Sequence, residues 1–260
     1  MSEIREGEEV KETTENKDAS NELDREFDSI VNGEKEGERK ELPEIFDNMS
    51  EEEKKKNIEA YEKLSPEAKE HYDKCAENEK KITPDVKDSV EGNGAHLVGE
   101  DHRLKTPDSF SEKIGTRAEN EGKTEAEALA ESKDVVRYTC EDEKEFLVDD
   151  YEKVTKDLTV KGYQVDQVKN TWEDEENPYK GVNVIYESPD GQKFEVQYHT
   201  PESFKAKEEQ HKYYEELRTL DPEDPEYEQK YAELSEKMYE ISDELEEPDN
   251  IDTVKSFKNR

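Results

Sequence analysis

The feature that most constrains the fold is a pair of short strands in the second half of the chain, at 182–187 and 193–200. A Ser-Pro-Asp-Gly turn joins them, a composition typical of a β-hairpin. Side chains of the second strand alternate between two faces. One face carries Phe194, Val196 and Tyr198, and the other carries Glu195, Gln197 and His199. Polar groups on an interior strand are costly unless they are solvated or used, so this polar face is a candidate site.

Helix and strand patterns alternate ahead of this hairpin. A β-branched run at 134–139 predicts one strand, and 163–168 predicts another. Between them, apolar residues at helical spacing predict a helix that ends near Gly162. Further helices are expected to begin at Pro107 and to span 201–218. This order predicts an α/β (α+β) fold, with a small mixed sheet flanked by helices.

Charge limits how much of the chain shares one core. Only 28% of the 260 residues are hydrophobic, 44% are charged, and the net charge is −36. We therefore predict one folded domain of about 150 residues with acidic helical or disordered extensions. The predicted parts are a disordered acidic tail at 1–48, a helical hairpin at 49–80, the main domain at 81–218, and a C-terminal amphipathic helix with a tail at 219–260. Within this scheme, 82–98 is expected to be a connector with a glycine turn.

The negative charge argues against a protein that coats nucleic acid or binds an anionic membrane, because both need basic surfaces. We expect no membrane helix, because no apolar run is long enough, and no signal peptide, because the first ten residues are charged and lack an apolar core. Cys75 and Cys140 are too few for a disulfide framework. We therefore expect a cytoplasmic protein, and the charge still allows a small nucleotide held by local cations and a metal ion.

Cations concentrate at 103–113 despite the acidic background. Arg103 and Lys105, two apart in an extended segment, are expected to point to the same side. Ser109 and Lys113 share one face of the helix that Thr106 caps. A helix N-terminus, a hydroxyl and these cations together predict a triphosphate cradle. A solvated basic helix start is the alternative.

Two carboxylates complete the candidate site. Asp134 is expected to begin the strand at 134–139, and Glu195 lies in the last strand of the hairpin. Carboxylates that face each other across a sheet repel unless one is protonated or a cation bridges them. Beside a basic cradle, the pattern predicts a magnesium–nucleotide complex. A salt bridge at a strand edge is the alternative role for Asp134.

Four motifs resemble the nucleotidyltransferase-like synthetase domain of the RelA/SpoT alarmone enzymes, in particular its compact toxin-like or phage-associated branch. The cradle of that family, R-x-K-x-x-x-S-x-x-x-K, is matched by Arg103, Lys105, Ser109 and Lys113. Its metal-binding Asp opens a strand that also bears an Arg, as Asp134 and Arg137 do. Its acceptor-stacking Tyr resembles Tyr179, ahead of Asn183, and its E-x-Q-x-x-T strand resembles 195–200. The resemblance covers about residues 80–218.

The resemblance implies transfer of the β,γ-pyrophosphate of ATP to a ribose 3′-hydroxyl, with Mg²⁺ as cofactor. ATP phosphates would be bound by Arg103, Lys105 and Lys113, with Ser109 positioning them. Asp134 and Glu195 would hold Mg²⁺, and Glu195 is also a candidate to take the hydroxyl proton. Arg137 would neutralise charge on the transferred group. Tyr179 would stack on the acceptor base, which Gln197 and Asn183 would orient.

The acceptor stays open, because the loop before Tyr179 is acidic where alarmone synthetases often hold acceptor phosphates with basic residues. Guanosine nucleotides, adenosine nucleotides and a tRNA end are all candidates. The main hypothesis is a pyrophosphokinase that acts as a growth-inhibiting toxin, delivered or phage-associated. An antitoxin, or a second copy bound through the C-terminal helix, is a candidate partner. The alternatives are a non-catalytic interaction protein of a phage or mobile element that retains the fold, and an accessory factor that mimics nucleic acid.

Overall fold

A computed structural model describes residue 43 and residues 49–259. The predicted tail at 1–48 lies outside the described residues, apart from Pro43. The helices of the described part are α1 (Glu51–Lys63), α2 (Pro66–Glu91), α3 (Pro107–Glu121), α4 (Glu125–Ala130), α5 (Leu147–Val160), α6 (Pro201–Arg218) and α7 (Tyr227–Ser242). Its strands are β1 (His96–Val98), β2 (Arg137–Glu141), β3 (Gln164–Asn170), β4 (Val182–Glu187), β5 (Lys193–His199) and β6 (Phe257–Lys258).

The strands form one mixed sheet in the order β1-β2-β5-β4-β3-β6. β2 and β5 run parallel, and the other neighbouring pairs are antiparallel. The predicted hairpin, β4 with β5, lies near the centre of the sheet. This arrangement confirms the predicted α+β class with a small mixed sheet flanked by helices.

The apolar face of the sheet packs against α2 and α5. Tyr138 of β2 places its hydroxyl 2.8 Å from that of Thr83 in α2. Tyr198 of β5 is fully buried and meets the ring of Tyr151 in α5 edge to face, with centroids 5.3 Å apart. The alternation of β5 therefore sends one set of side chains into the core and leaves the polar set on the opposite face.

Helix α2 corrects the prediction of a connector at 82–98. It continues to Glu91, across the predicted boundary between 80 and 81, although Pro84 lies in its interior. Ile82, Val86 and Val90 are buried at helical spacing. Burial of three such side chains, about 1.5–3 kcal/mol each, outweighs the roughly 3 kcal/mol cost of an interior proline. The predicted glycine turn follows the helix, and the end of the stretch forms β1.

The C-terminal segment contains one helix and then returns to the edge of the sheet. Leu234 and Met238 of α7 are buried, and α7 packs back on α6, one of the two arrangements predicted for an amphipathic helix. The predicted tail beyond it forms β6 at the edge of β3. Asn170 at the end of β3 donates to the carbonyls of Ile251 and Val254, both at 3.0 Å. Among the described helices, none combines the length and apolar character of a membrane span.

Candidate functional site

The polar face of the sheet brings together residues from three neighbouring strands. Arg137 of β2 is paired with Glu195 of β5, and Asn183 of β4 is paired with Gln197 of β5. Directly paired residues project from the same face of a sheet. The predicted catalytic residues on these strands therefore share one surface, as the alternation along β5 indicates.

Asp134 lies at the edge of this surface, in the loop before β2 and not at the start of the strand as predicted. The β-branched run makes only an isolated antiparallel bridge there, between Leu104 and Val136. That bridge holds Lys105 beside Asp134, with Lys105 Nζ 3.6 Å from Asp134 Oδ2. Lys113 of α3 donates to both carboxylate oxygens of Asp134 at 2.5 Å. Two of the predicted phosphate-binding lysines thus converge on the predicted metal ligand.

The charges around Asp134 keep it ionised. Burial raises the pKa of this carboxyl, but Lys105 and Lys113 outweigh burial and hold the pKa below its ordinary value. Burial lowers the pKa of Lys105, with Asp134 opposing that effect. An ionised carboxylate that already attracts two ammonium groups is suited to a cation–phosphate ligand.

Glu195 has the opposite electrostatic setting. Burial raises its pKa, and repulsion from Asp134 adds to the rise. Gln197 donates to Glu195 Oε2 at 2.7 Å and partly offsets this effect. A divalent cation would relieve the repulsion between the two carboxylates.

The donor set fits Mg²⁺. Within the described residues, no group of three or more His, Cys, Asp and Glu side chains is placed to hold a metal. Mg²⁺ commonly takes one or two protein carboxylates and completes its shell with phosphate oxygens and water. Asp134 and Glu195 match that pattern when a nucleotide supplies the phosphates.

Arg103 does not join the other cradle residues. It ends a short 3₁₀ turn in a helical conformation, so the alternation expected to align it with Lys105 is broken. Its Nε donates to Glu79 of α2 at 2.5 Å, and its Nη1 donates to the carbonyl of Glu100 at 2.9 Å. The prediction that Arg103 and Lys105 point to the same side is therefore wrong. Ser109 is exposed one turn before Lys113, and its amide donates to the Thr106 cap at 3.3 Å.

Glu79 is a residue that sequence reasoning missed. Only 6% of it is exposed, and it accepts hydrogen bonds from Thr83 and Arg103. A signal was present, because Glu79 falls at helical spacing between the apolar residues Cys75 and Ile82. A buried carboxylate is unfavourable without a cation beside it, so a carboxylate in an apolar stripe predicts a buried cationic partner.

A second hydrogen-bonded group lies beyond Gln197 along β5. The hydroxyl of Tyr179 is 2.7 Å from Asn183 Oδ1 and 2.9 Å from His199 Nε2. His199 Nδ1 is 3.0 Å from the Ser203 hydroxyl. Burial lowers the pKa of His199 to about 3, so its ring is neutral. The predicted acceptor residues Tyr179 and Asn183 are therefore linked to each other on the polar face.

Lys207 of α6 is the second residue that sequence reasoning missed. Its Nζ donates to Gln197 Oε1 at 3.0 Å and lies 4.9 Å from the centre of the Phe204 ring. Burial lowers the pKa of Lys207, and the charge of Glu208 opposes that effect. The helical pattern held a signal, since Lys207 shares a face with the buried Ser203 and Gln210.

The site is locally cationic in a chain whose net charge is −36. The cations that interact with its two carboxylates are Lys105, Lys113, Arg137 and Lys207. Such an excess of positive charge against Asp134 and Glu195 indicates an anionic ligand.

Comparison with solved structures finds proteins that are similar to part of this chain. The Type VI effector Tas1, solved with its immunity protein, is 19% identical over 70% of this chain and 100% of that chain, with a TM-score of 0.45. Small alarmone synthetase 1 from Bacillus subtilis, bound to its product pppGpp, is 15% identical over 67% of this chain and 90% of that chain, with a TM-score of 0.41. Small alarmone synthetase 2 from the same organism is 19% identical over 67% and 95%, with a TM-score of 0.39.

Small alarmone synthetases are thus among the solved structures to which this chain is similar, as the motif resemblance to the RelA/SpoT synthetase domain predicts. At such identities the similarity concerns the fold alone. No protein-family model matches the chain, and no curated protein matches it.

Proposed function

We propose that this protein is a Mg²⁺-dependent transferase that moves the β,γ-pyrophosphoryl group of ATP to a ribose 3′-hydroxyl. The observation that carries the proposal is the convergence of Lys105 and Lys113 on Asp134, beside Glu195 and Arg137. This arrangement supports binding of a metal–polyphosphate at one edge of the polar face.

On the donor side, Lys105 and Lys113 bind the phosphates of ATP at the N-terminal part of α3. Ser109, one turn before Lys113, positions the phosphates through its exposed side chain. Arg103 contributes by exchanging Glu79 for a phosphate oxygen. Asp134 and Glu195 would hold Mg²⁺, which would supply charge neutralisation on the phosphate oxygens.

On the acceptor side, Tyr179 stacks on the base, while Asn183 and Gln197 orient the nucleoside. The 3′-oxygen attacks the β-phosphorus of ATP, and the bond from that phosphorus to the α–β bridging oxygen breaks, so that AMP leaves. Glu195 accepts the proton of the attacking hydroxyl, to which its raised pKa is suited. Arg137, paired with Glu195 across the two strands, neutralises charge on the moving group.

The experiment incubates the protein with γ-labelled ATP, Mg²⁺ and a panel of guanosine nucleotides, adenosine nucleotides and tRNA. The test variants are Asp134→Asn and Glu195→Gln. The exposed Asp149 and Glu145 provide matched controls, Asp149→Asn and Glu145→Gln. We expect a labelled acceptor from the wild type and the controls, and a loss of roughly 100-fold or more in each test variant and with chelator.

Absence of product with every acceptor would contradict the proposal. It would favour the alternative, a non-catalytic protein that binds partners through its acidic surface. A growth-inhibiting role, with an antitoxin as partner, would follow from transfer to an essential nucleotide or tRNA. Growth of cells that express the wild type or Glu195→Gln distinguishes an effect of catalysis from one of binding.

A further inference from the structure

We propose that Lys207 selects acceptors that carry a phosphate group, which its ammonium binds on the acceptor side of Glu195. This inference rests on the transferase proposal and adds an anion-binding residue outside the R-x-K-x-x-x-S-x-x-x-K cradle.

The position of Lys207 separates it from the donor lysines. It donates to Gln197, which follows Glu195 on the same face of β5 at a spacing of about 6.6 Å along the strand. The charges that act on Lys207 within the site are those of Arg137 and Glu195. Lys105, in contrast, interacts with Asp134 and Lys113 as well as with those two. Lys207 therefore lies towards Gln197 and the predicted acceptor residues, away from the cradle.

The charge of Lys207 is poorly compensated inside the site. Its hydrogen-bond partner there, the Gln197 amide, is neutral. Among the described ion pairs, its carboxylate partner is Glu208, at 3.9 Å, whose side chain is 60% exposed and so contributes little. The Lys207 side chain itself is only 24% exposed. A largely buried ammonium with a neutral partner favours an incoming anion.

The acceptor offers one kind of anion for this position. In the proposed reaction its base lies on Tyr179 and its 3′-hydroxyl lies at Glu195, so both ends of the nucleoside are already assigned. A phosphate on the ribose 5′-oxygen is the remaining charged group. It has two sources, a free nucleotide or the terminal nucleotide of an RNA, and both present the same chemistry to Lys207.

The test compares two pairs of acceptors that differ by this phosphate alone, adenosine with AMP and guanosine with GMP. A short RNA is then compared with the nucleoside of its 3′ end. The variants are Lys207→Met and Lys207→Arg. Lys205→Met is the matched control, because Lys205 is on the same helix and its side chain is 79% exposed. Thermal denaturation establishes that each variant is folded.

We expect Lys207→Met to raise KM for phosphorylated acceptors by about 10-fold or more, the scale of one charge-assisted hydrogen bond. KM for ATP should not change, and KM for the unphosphorylated acceptors should rise much less than KM for the phosphorylated ones. Lys207→Arg should retain most of the preference, and Lys205→Met all of it. If Lys207→Met raises KM for AMP and GMP but not for the RNA, the phosphate belongs to a free nucleotide. The reverse result identifies the RNA as its source.

An equal loss for phosphorylated and unphosphorylated acceptors would overturn the role of Lys207 and leave the transferase proposal intact. Absence of product from the wild type would overturn the transferase proposal. In that case, calorimetric titration of the wild type and Lys207→Met with AMP and with adenosine tests the role of Lys207 separately. A preference for AMP that Lys207→Met removes supports anion binding, whereas equal affinities in both proteins overturn it. If Lys207→Met does not fold, Lys207→Gln takes its place in both measurements.

Discussion

The neutral ring of His199 should make the stability of this protein sensitive to mild acid. The ring is fully buried, and burial lowers its pKa from 6.5 to about 3. The unfolded chain binds a proton on this ring below about pH 6.5, whereas the native state does so only near pH 3. The contribution of His199 to stability is therefore complete above the unfolded pKa and is lost as the pH falls towards the native pKa.

The magnitude follows from the two pKa values of His199, 6.5 unfolded and about 3 native. Lowering the pH from about 7 to about 5.5 should reduce the free energy of unfolding by about 1.3 kcal/mol through this residue. Asp142 opposes part of the total change, because burial raises its pKa to about 6. The effect of His199 therefore has to be measured as a difference between variants.

Urea denaturation of the wild type and His199→Gln at both pH values measures that difference. Gln keeps polar groups next to Tyr179 and Ser203 without the titration. We expect the wild type to lose about 1.3 kcal/mol more stability than the variant between the two pH values. His211→Gln is the control, because the His211 side chain is 68% exposed. This variant should keep the wild-type pH dependence of the free energy of unfolding. If the free energy of unfolding has the same pH dependence in His199→Gln and the wild type, the conclusion that the buried ring is neutral is wrong.

Two further predictions concern the neighbours of the site. Gly181→Ala should destabilise the protein by about 1–3 kcal/mol, because the new Cβ would come within 2.7 Å of the His199 ring. Calorimetric unfolding checks this, and wild-type stability would show that the ring can move away. Glu79→Gln should strengthen binding of a non-hydrolysable ATP analogue, because it releases Arg103 for a phosphate. Titration with the analogue checks this, and unchanged or weaker binding would exclude Arg103 from the cradle.

Local pattern was sufficient for the hairpin and the polar face of the sheet. The turn composition and the period of two along β5 place Glu195 and Gln197 together without any long-range information. Helix spacing likewise places Ser109 and Lys113 on one face of α3. These features depend on neighbours in the sequence, so the sequence alone predicts them.

Packing between distant segments determines the features that the sequence alone does not predict. The sequence predicts a connector at 82–98, but burial of the apolar residues on either side of Pro84 continues α2 to Glu91. Arg103 was expected in the cradle, and it turns instead to Glu79, a partner from a separate helix. Lys207 joins the site because α6 lies against the polar face of the sheet. Each outcome depends on which elements meet, which periodicity does not specify.

The stoichiometry of the products distinguishes pyrophosphoryl transfer from other reactions of ATP. Mass spectrometry of one reaction mixture follows AMP and the modified acceptor together over time. Pyrophosphoryl transfer should give equal amounts of AMP and of acceptor that has gained both phosphates as a unit, and both products should be lost in Glu195→Gln. ADP with a singly phosphorylated acceptor, or AMP with free pyrophosphate and unmodified acceptor, would contradict pyrophosphoryl transfer.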